Sequence, residues 1–463
     1  MTTIYQKFQE TVSQYGEQQF LAELKNAQYF PLTYLQVADR VHRCAAGLIS
    51  LGCVAGDHLG IMVANGIDWI TVDLACAQLG LVIVPIHTTY NFQYLAYTLQ
   101  HSDSQRLIID QVLWDKFQDQ ITQLALKDVI IRGEGQSFSE LLTHEPFMEV
   151  VQKDELALHT IIYTSGTTAE PKGVMLNHKN VLSNVEYASH YVLIGPDDRF
   201  FSFLPLSHIL ERTGGYYAPM SFGAAIYFAT SSLKIAEEIV IARPTLLLAV
   251  PRIFEKMHQK IRDTVDAGPA WKRKLFYLAL DSQKELQRSF WKVLQRAILK
   301  KIVIDKITAR LGGRLRFVIC GGAALDVHIA KFFETIGIPI MEGYGLTETS
   351  PIVAVNPLGN YRFGTVGKVL ENTRVILTPD KEILVQGEGL MLGYYSDQVA
   401  TSAAIDADGW FHTGDRGYID SDGFLTITGR IKEIIVLSTG KNINPVPIEQ
   451  ALNLNKYITQ SLV

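Results

Sequence analysis

The chain has 463 residues, 48% apolar and 19% charged, the make-up of an ordinary globular protein with ample core, and at about 150 residues per domain it predicts roughly three domain-sized units. A net charge of −5 excludes bulk affinity for nucleic acid, and no apolar run approaches the ~18 residues of a membrane span. Cys44, Cys53, Cys76 and Cys320 lack metal-ligand spacing and read as buried, reduced thiols of a cytoplasmic protein.

The first segment, Met1 to Phe20, is polar and mixed in charge, unlike a secretory signal. Leu32 to Leu51 has apolar residues at helical spacing and stops at Gly52. Asp57–Val63 reads as a strand, Asp68–Leu79 as a helix and Leu81–Ile86 as a fully buried strand, the pattern of a parallel sheet. Further strands are expected at Arg106–Ile109, Asp128–Ile131, Leu158–Ile162, Ala225–Phe228, Thr245–Val250, Leu315–Cys320 and Ile338–Glu342. After about Gly364 short strands follow one another, at Arg374–Leu377, Glu382–Gln386, Gly417–Ile419 and Leu425–Thr428, as in a small β-rich unit.

Residues 256–316 form a charged helical block with 16 Lys/Arg against 5 Asp/Glu, opposite in sign to the whole chain. Trp271, Phe276, Tyr277, Phe290 and Trp291 are interleaved there. A solvated helical hairpin accounts for this composition. So does peripheral contact with anionic lipid, or with the phosphates of coenzyme A.

The stretch Tyr163-Thr-Ser-Gly-Thr-Thr-Ala-Glu-Pro-Lys-Gly173 follows an apolar strand and leads into a second apolar turn, Val174-Met175-Leu176. Glycine frees backbone N–H groups to point at phosphate oxygens, hydroxyls add donors, and Lys172 adds positive charge. It is not a Walker A loop, in which Gly-Lys is followed directly by Ser or Thr.

Tyr163–Gly173 resembles the phosphate-binding signature of the adenylate-forming superfamily, which holds acyl- and aryl-CoA synthetases, firefly luciferase and nonribosomal peptide synthetase adenylation domains. Met341-Glu-Gly-Tyr-Gly-Leu-Thr-Glu-Thr-Ser350 is similar to its adenine and metal motif, Gly409-Trp-Phe-His-Thr-Gly-Asp415 to its ribose motif and Gly429-Arg-Ile-Lys-Glu433 to its hinge. The motifs stand in the family's order. Val250–Lys256, Leu204–Arg212 and Val436–Pro445 are similar to segments of the long-chain fatty acyl-CoA synthetase branch.

The resemblance implies an α/β fold: a large N-terminal domain, residues 1–431, of two βαβ subdomains plus a small β-rich subdomain at about 364–431. Residues 256–316 are a basic helical insertion in it. Nucleotide is expected in the cleft where the subdomains meet, outside the carboxyl ends of the strands. The implied reaction uses ATP and Mg²⁺ to turn a long-chain fatty acid into acyl-AMP, then into an acyl thioester with coenzyme A. Thr164, Ser165, Gly166, Thr167, Thr168 and Lys172 are expected to clamp the phosphates, and Thr164 and Glu348 to ligate the metal. Thr347 faces the α-phosphate. Gly321, Gly322, Ala323, Gly343, Tyr344 and Gly345 border the adenine, with the Tyr344 face stacked on it, and Asp415 and Arg430 hold the ribose. His208 borders the acyl site, and Lys432 is the hinge residue. A cytoplasmic protein is implied, in peripheral contact with the inner membrane face through the basic helices, with a homodimer as a further expectation.

The chain departs from the family after the hinge. Members continue for on the order of 100 residues more, whereas residues 432–463 remain here, and none sits in a context like that of the family's second-domain lysine. A truncated C-terminal domain is therefore expected, with the whole reaction impaired. Two alternatives stand beside a ligase: a fatty acyl-AMP ligase that does not use coenzyme A, and a non-catalytic protein that binds ATP or acyl-adenylate.

Overall fold

Runs such as Leu107-Ile108-Ile109 and Leu246-Leu247-Leu248 are apolar on both strand faces, and such strands need cover on both sides. The computed structural model supplies it with two large sheets and helices packed between and around them. It describes residues 2–133, 137–164, 170–284 and 290–431, and beyond these only 435–436, 442–443, 448–449, 452, 458 and 461.

Strands β1 (Gln19–Lys25) and β2 (Gln28–Thr33) form an antiparallel hairpin absent from the expected elements. The helix expected from Leu32 starts at Tyr34 instead: α1 (Tyr34–Ser50) is opened by Thr33, which accepts from the Gln36 N–H in a capping box. The first sheet holds β3 (His58–Met62), β4 (Val82–Pro85), β5 (Arg106–Asp110) and β6 (Asp128–Arg132), all parallel. Strand β7 (Leu158–Thr164) lies parallel to β4, and β8 (Lys172–Asn177) returns antiparallel to it. The expected apolar turn Val174-Met175-Leu176 is thus strand. Pairing with β7 lets Val174 and Leu176 bury one face together, which a turn cannot do.

The second sheet begins with parallel strands β9 (Arg199–Ser202), β10 (Ala225–Phe228), β11 (Leu246–Ala249), β12 (Phe317–Cys320) and β13 (Ile340–Gly345). Beyond β13 the pairing becomes antiparallel. The strands there are β14 (Ile352–Val355), β15 (Gly367–Val369), β16 (Thr373–Leu377), β17 (Glu382–Gly387), β19 (Phe411–Ile419) and β20 (Phe424–Arg430). With β1 and β2 at its far edge the order is β16-β17-β19-β20-β15-β14-β13-β12-β11-β9-β10-β1-β2. Between them in sequence, β18 (Gly393–Tyr394) crosses to the first sheet and pairs with β8, giving β18-β8-β7-β4-β3-β5-β6.

Helix α2 (Ile67–Leu79) is apolar on nearly every side, as a helix between two layers must be. It carries Asp73, which has no exposure to water. The Arg212 guanidinium donates to one carboxylate oxygen of Asp73, and the hydroxyls of Tyr216 and Tyr217 donate to the other at 3.0 and 2.8 Å. Arg212 also donates to Thr160 of β7 at 2.8 Å. Burial alone would raise the Asp73 carboxyl, but Arg212 and His159 outweigh it and hold it far below the usual carboxylate range. Arg212, Tyr216 and Tyr217 stand on a π-helical turn, Glu211–Tyr217, that packs against the second sheet, so this network ties the two layers together.

Among the described residues most of the basic block is helical, as expected, with α3 (Pro251–Asp266), α4 (Ala270–Lys284) and α5 (Phe290–Leu299); α6 (Val327–Thr335) follows β12. Among the described residues no helix is long and apolar enough to cross a membrane.

Candidate active site

Parallel strands leave a crevice beyond their carboxyl ends, and the loops there supply side chains. At the ends of β11, β12 and β13 lies a cavity of about 430 Å³. One wall is Gly321 and Gly322, just past β12, and another is Gly343, Tyr344 and Gly345 at the end of β13, with Thr347 beyond. Gly322 has φ +87°, a left-handed conformation that suits glycine. Gly345 is required for a different reason: a Cβ there would stand 1.7 Å from the Pro351 carbonyl oxygen. Ala323 is exposed beside the cavity and is not part of its lining.

The Tyr344 hydroxyl donates to Asp415 Oδ2 at 2.6 Å, and Arg430 Nε donates to Asp415 Oδ1 at 3.0 Å. Burial and the neighbouring Asp415 push the Tyr344 phenol well above its ordinary value, so it stays a donor. Asp415 faces Arg430 across the β19–β20 ladder, which brings the two together. A carboxylate has about four lone-pair sites, so Asp415 keeps capacity for ribose hydroxyls while it orients Tyr344.

Lys172 opens β8 and pairs in register with Thr164 of β7. Its ammonium lies 4.9 Å from the centre of the Tyr394 ring. The Tyr394 hydroxyl donates to Glu348 Oε1 at 2.9 Å. Lys172 and Glu348, far apart in sequence, are thus joined through one aromatic side chain. Ser165, Gly166, Thr167 and Thr168 of the phosphate loop, and Lys432 of the hinge, lie outside the described residues.

The rest of the cavity lining is largely apolar, with Leu204, Ile209, Leu248 and Val250 among it. His208 stands there, its ring 5.7 Å from that of His87. Burial lowers the His208 pKa, which favours the neutral imidazole. Glu211 reaches the same wall from the π turn and is 1% exposed. Burial pushes its carboxyl up to about 8, against a Ser202 hydrogen bond that pulls it down. Its Oε2 has no hydrogen-bond partner among the described residues.

Three residues here are not among the expected site residues: Tyr394, Glu211 and Asn65. Asn65 donates to the Leu204 carbonyl at 2.6 Å and accepts from the Leu206 N–H at 2.9 Å, which holds the turn before His208. The visible signal for Tyr394 was the Gly393-Tyr394 pair. For Asn65 it was a polar side chain next to glycine at the end of a buried strand.

A nucleotide fits the paired glycines, the tyrosine and the Asp415–Arg430 pair. Among the described residues no group of three or more His, Cys, Asp or Glu could hold a metal ion. Mg²⁺ beside a triphosphate needs only one or two protein oxygens, and Glu348 has lone pairs beyond the one that Tyr394 engages.

Residues 8–395 match the family model of the AMP-binding enzymes. The chain is 34% identical over 460 residues to FadD15, a long-chain-fatty-acid–CoA ligase of Mycobacterium bovis, covering 93% of this chain and 75% of that protein. The anthranilate CoA ligase AuaEII, solved in complex with anthranoyl-AMP, superposes with a TM-score of 0.81 at 20% identity, over 99% of this chain and 82% of that one. ATP-bound MatB from Rhodopseudomonas palustris superposes at 0.78 and 23% identity, over 98% and 83%. The family match takes in the first sheet, all of the second but β19 and β20, and every lining residue of the cavity, and the chain belongs to the AMP-binding enzyme family.

Proposed function

We propose that this chain is an AMP-forming ligase that activates a long-chain fatty acid. A carboxylate oxygen of the acid attacks the α-phosphorus of ATP, the bond to the β-phosphate oxygen breaks, and pyrophosphate leaves with that bond's electron pair. The acyl-AMP then passes its acyl group to the thiol of coenzyme A and releases AMP. One observation carries the reading: a single cavity is bounded by the nucleotide wall of Gly321, Gly322 and Tyr344 and by the apolar wall around His208. The relative's name supports the substrate class.

Each residue has a physical task. Tyr344, oriented by Asp415, fixes the adenosine end, and Asp415 with Arg430 receives the ribose. Lys172 offsets charge on the departing phosphates, and Thr347 donates to the α-phosphate. Such fixed donors stabilise developing charge without reorganising at the moment of reaction. Glu348 and Thr164 would hold Mg²⁺, which would supply further charge neutralisation on the triphosphate. Neutral His208 lets an uncharged chain pass beside it, and the apolar wall excludes water from the mixed anhydride. Peripheral contact with an anionic membrane through the helices of residues 256–316 belongs to the same proposal.

The test is mass spectrometry for acyl-AMP, with purified chain, ATP, Mg²⁺ and palmitate, first without and then with coenzyme A. Acyl-AMP is expected, and its loss in Lys172→Ala and in Glu348→Ala. ATP binding without any acyl-AMP would overturn the proposal in favour of a binding protein. Acyl-AMP that coenzyme A never consumes would favour a ligase that stops at the adenylate.

A further inference from the structure

Helices α3, α4 and α6 enclose a second cleft, of about 400 Å³, that shares no lining residue with the nucleotide cavity. Its floor is apolar: Phe276 and Leu280 of α4 are buried, and Phe332 of α6 packs beside them. Its rim is basic. Arg262 of α3 and His328 and Lys331 of α6 are exposed around it. His258 of α3 lies against the Phe332 ring, with centroids 4.6 Å apart. Burial, helped by Arg262, lowers the His258 pKa, so the lasting positive charge comes from Arg262 and Lys331. Neither is in an ion pair among the described residues, although Lys331 lies 5.9 Å over the Phe363 ring. Asp281 is the single carboxylate of the lining.

The two halves of this cleft ask for different chemistry. A bare anion satisfies the rim and leaves the aromatic floor wet. A neutral hydrocarbon covers the floor and leaves two cations unpaired. We propose that the cleft binds an anionic amphiphile, a carboxylate or phosphate head on an aliphatic chain, at a site separate from the nucleotide cavity. The head pairs with Arg262 and Lys331, and the chain lies on Phe276, Leu280 and Phe332. Two sources share this chemistry, a monomeric acyl anion and an anionic phospholipid of a bilayer. Helix α6 also leads directly from the Gly321–Leu325 turn. The Leu325 N–H is bonded to Glu342 Oε2 at 3.3 Å, one residue before the Gly343–Gly345 wall, so an occupant grips the helix that follows the nucleotide wall.

The experiment is calorimetric titration of the full chain with dodecyl phosphate below its micelle concentration, in the presence of ATP and Mg²⁺. One saturable site is expected, weakened about tenfold or more in the Arg262→Ala/Lys331→Ala double variant, which loses charge-assisted hydrogen bonds to the head. Both side chains are exposed, and retained ATP binding confirms that the variant is folded. Inorganic phosphate and dodecanol are expected to bind far more weakly. Unchanged affinity in the double variant would place the chain in the acyl cavity and overturn the proposal. Equal binding of inorganic phosphate or of dodecanol would overturn it too, because one half of the cleft would then suffice. Flotation with phosphatidylglycerol vesicles separates the sources. Vesicle binding lost together with dodecyl phosphate binding identifies the bilayer lipid, and vesicle binding absent or unaffected identifies the monomeric acyl anion.

Discussion

The Tyr394 hydroxyl holds Glu348 at 2.9 Å while the same ring sits under the Lys172 ammonium, so one side chain sets the spacing of this cation and this carboxylate. Tyr394→Phe keeps the ring and removes only that bond. It is expected to lower kcat for acyl-AMP formation about tenfold, the worth of a hydrogen bond to a charged group, with a smaller change in KM for the fatty acid. Steady-state kinetics with ATP and palmitate checks this. An unchanged kcat would mean that Glu348 is oriented by other groups. Lys172 and Glu348 could be nominated from the chain because each sits in a contiguous motif that resembles the family's phosphate and metal motifs. Tyr394 was not, because its role exists only once a two-residue strand from far along the chain lies beside β8. Asn65 escaped for the same reason: its partners, Leu204 and Leu206, lie in the turn that follows β9 of the other sheet.

The π turn Glu211–Tyr217 widens the backbone enough to seat a carboxyl over Gly215, where a Cβ would stand 2.6 Å from the Glu211 carboxyl. Such turns recur at functional sites. Its Glu211 is an acid whose folded pKa, about 8, stands above the ordinary 4.5. Between those values the native chain keeps a proton that the unfolded chain has lost, so stability falls as pH rises through that window and levels off above it. Glu211→Gln has no such proton. Urea midpoints at pH 6 and pH 8 should therefore show the parent losing stability relative to the variant, by on the order of 1 kcal/mol per pH unit. Parallel curves would show that Glu211 is ionised in the folded protein. Elements of this scale were unevenly legible. Apolar, fully buried strands such as Ala225–Phe228 stand where their composition puts them. The β1–β2 hairpin did not announce itself, because Pro31 and the charged Glu23 and Lys25 break its apolar pattern. Val174–Leu176 passed for a turn because the run is too short to show a period by itself.

Arg212 and Asp73 decide how the two sheets sit together. Removing one partner leaves the other as an uncompensated buried charge, and Arg212→Ala is expected to destabilise the protein by about 3–5 kcal/mol in urea denaturation. Replacing both, as in Asp73→Leu with Arg212→Met, should recover much of that loss, since a buried ion pair is worth little more than apolar groups of the same volume. A double variant as unstable as the single one would assign the effect to the Thr160, Tyr216 and Tyr217 hydroxyls left without their buried partners. At this scale the α/β character was legible in the alternation of strands and helices. The membership of each sheet was not. Sequence neighbours divide between layers: β1 and β2 precede the first sheet yet join the second, and β18 leaves the second to join the first. Long-range pairing has no local period to betray it.

That last crossing bears on how the protein is made. Strand β8 is complete once residue 177 has been synthesised, but its outer edge stays open until Gly393 and Tyr394 arrive, after residues 178–392 have followed. During that interval a nascent chain on the ribosome displays a bare strand edge, the kind of surface that recruits foreign strands. The residue that finally covers it is the same Tyr394 that joins Lys172 to Glu348. A newborn chain is therefore sealed against aggregation and equipped with its lysine–glutamate link in a single late event.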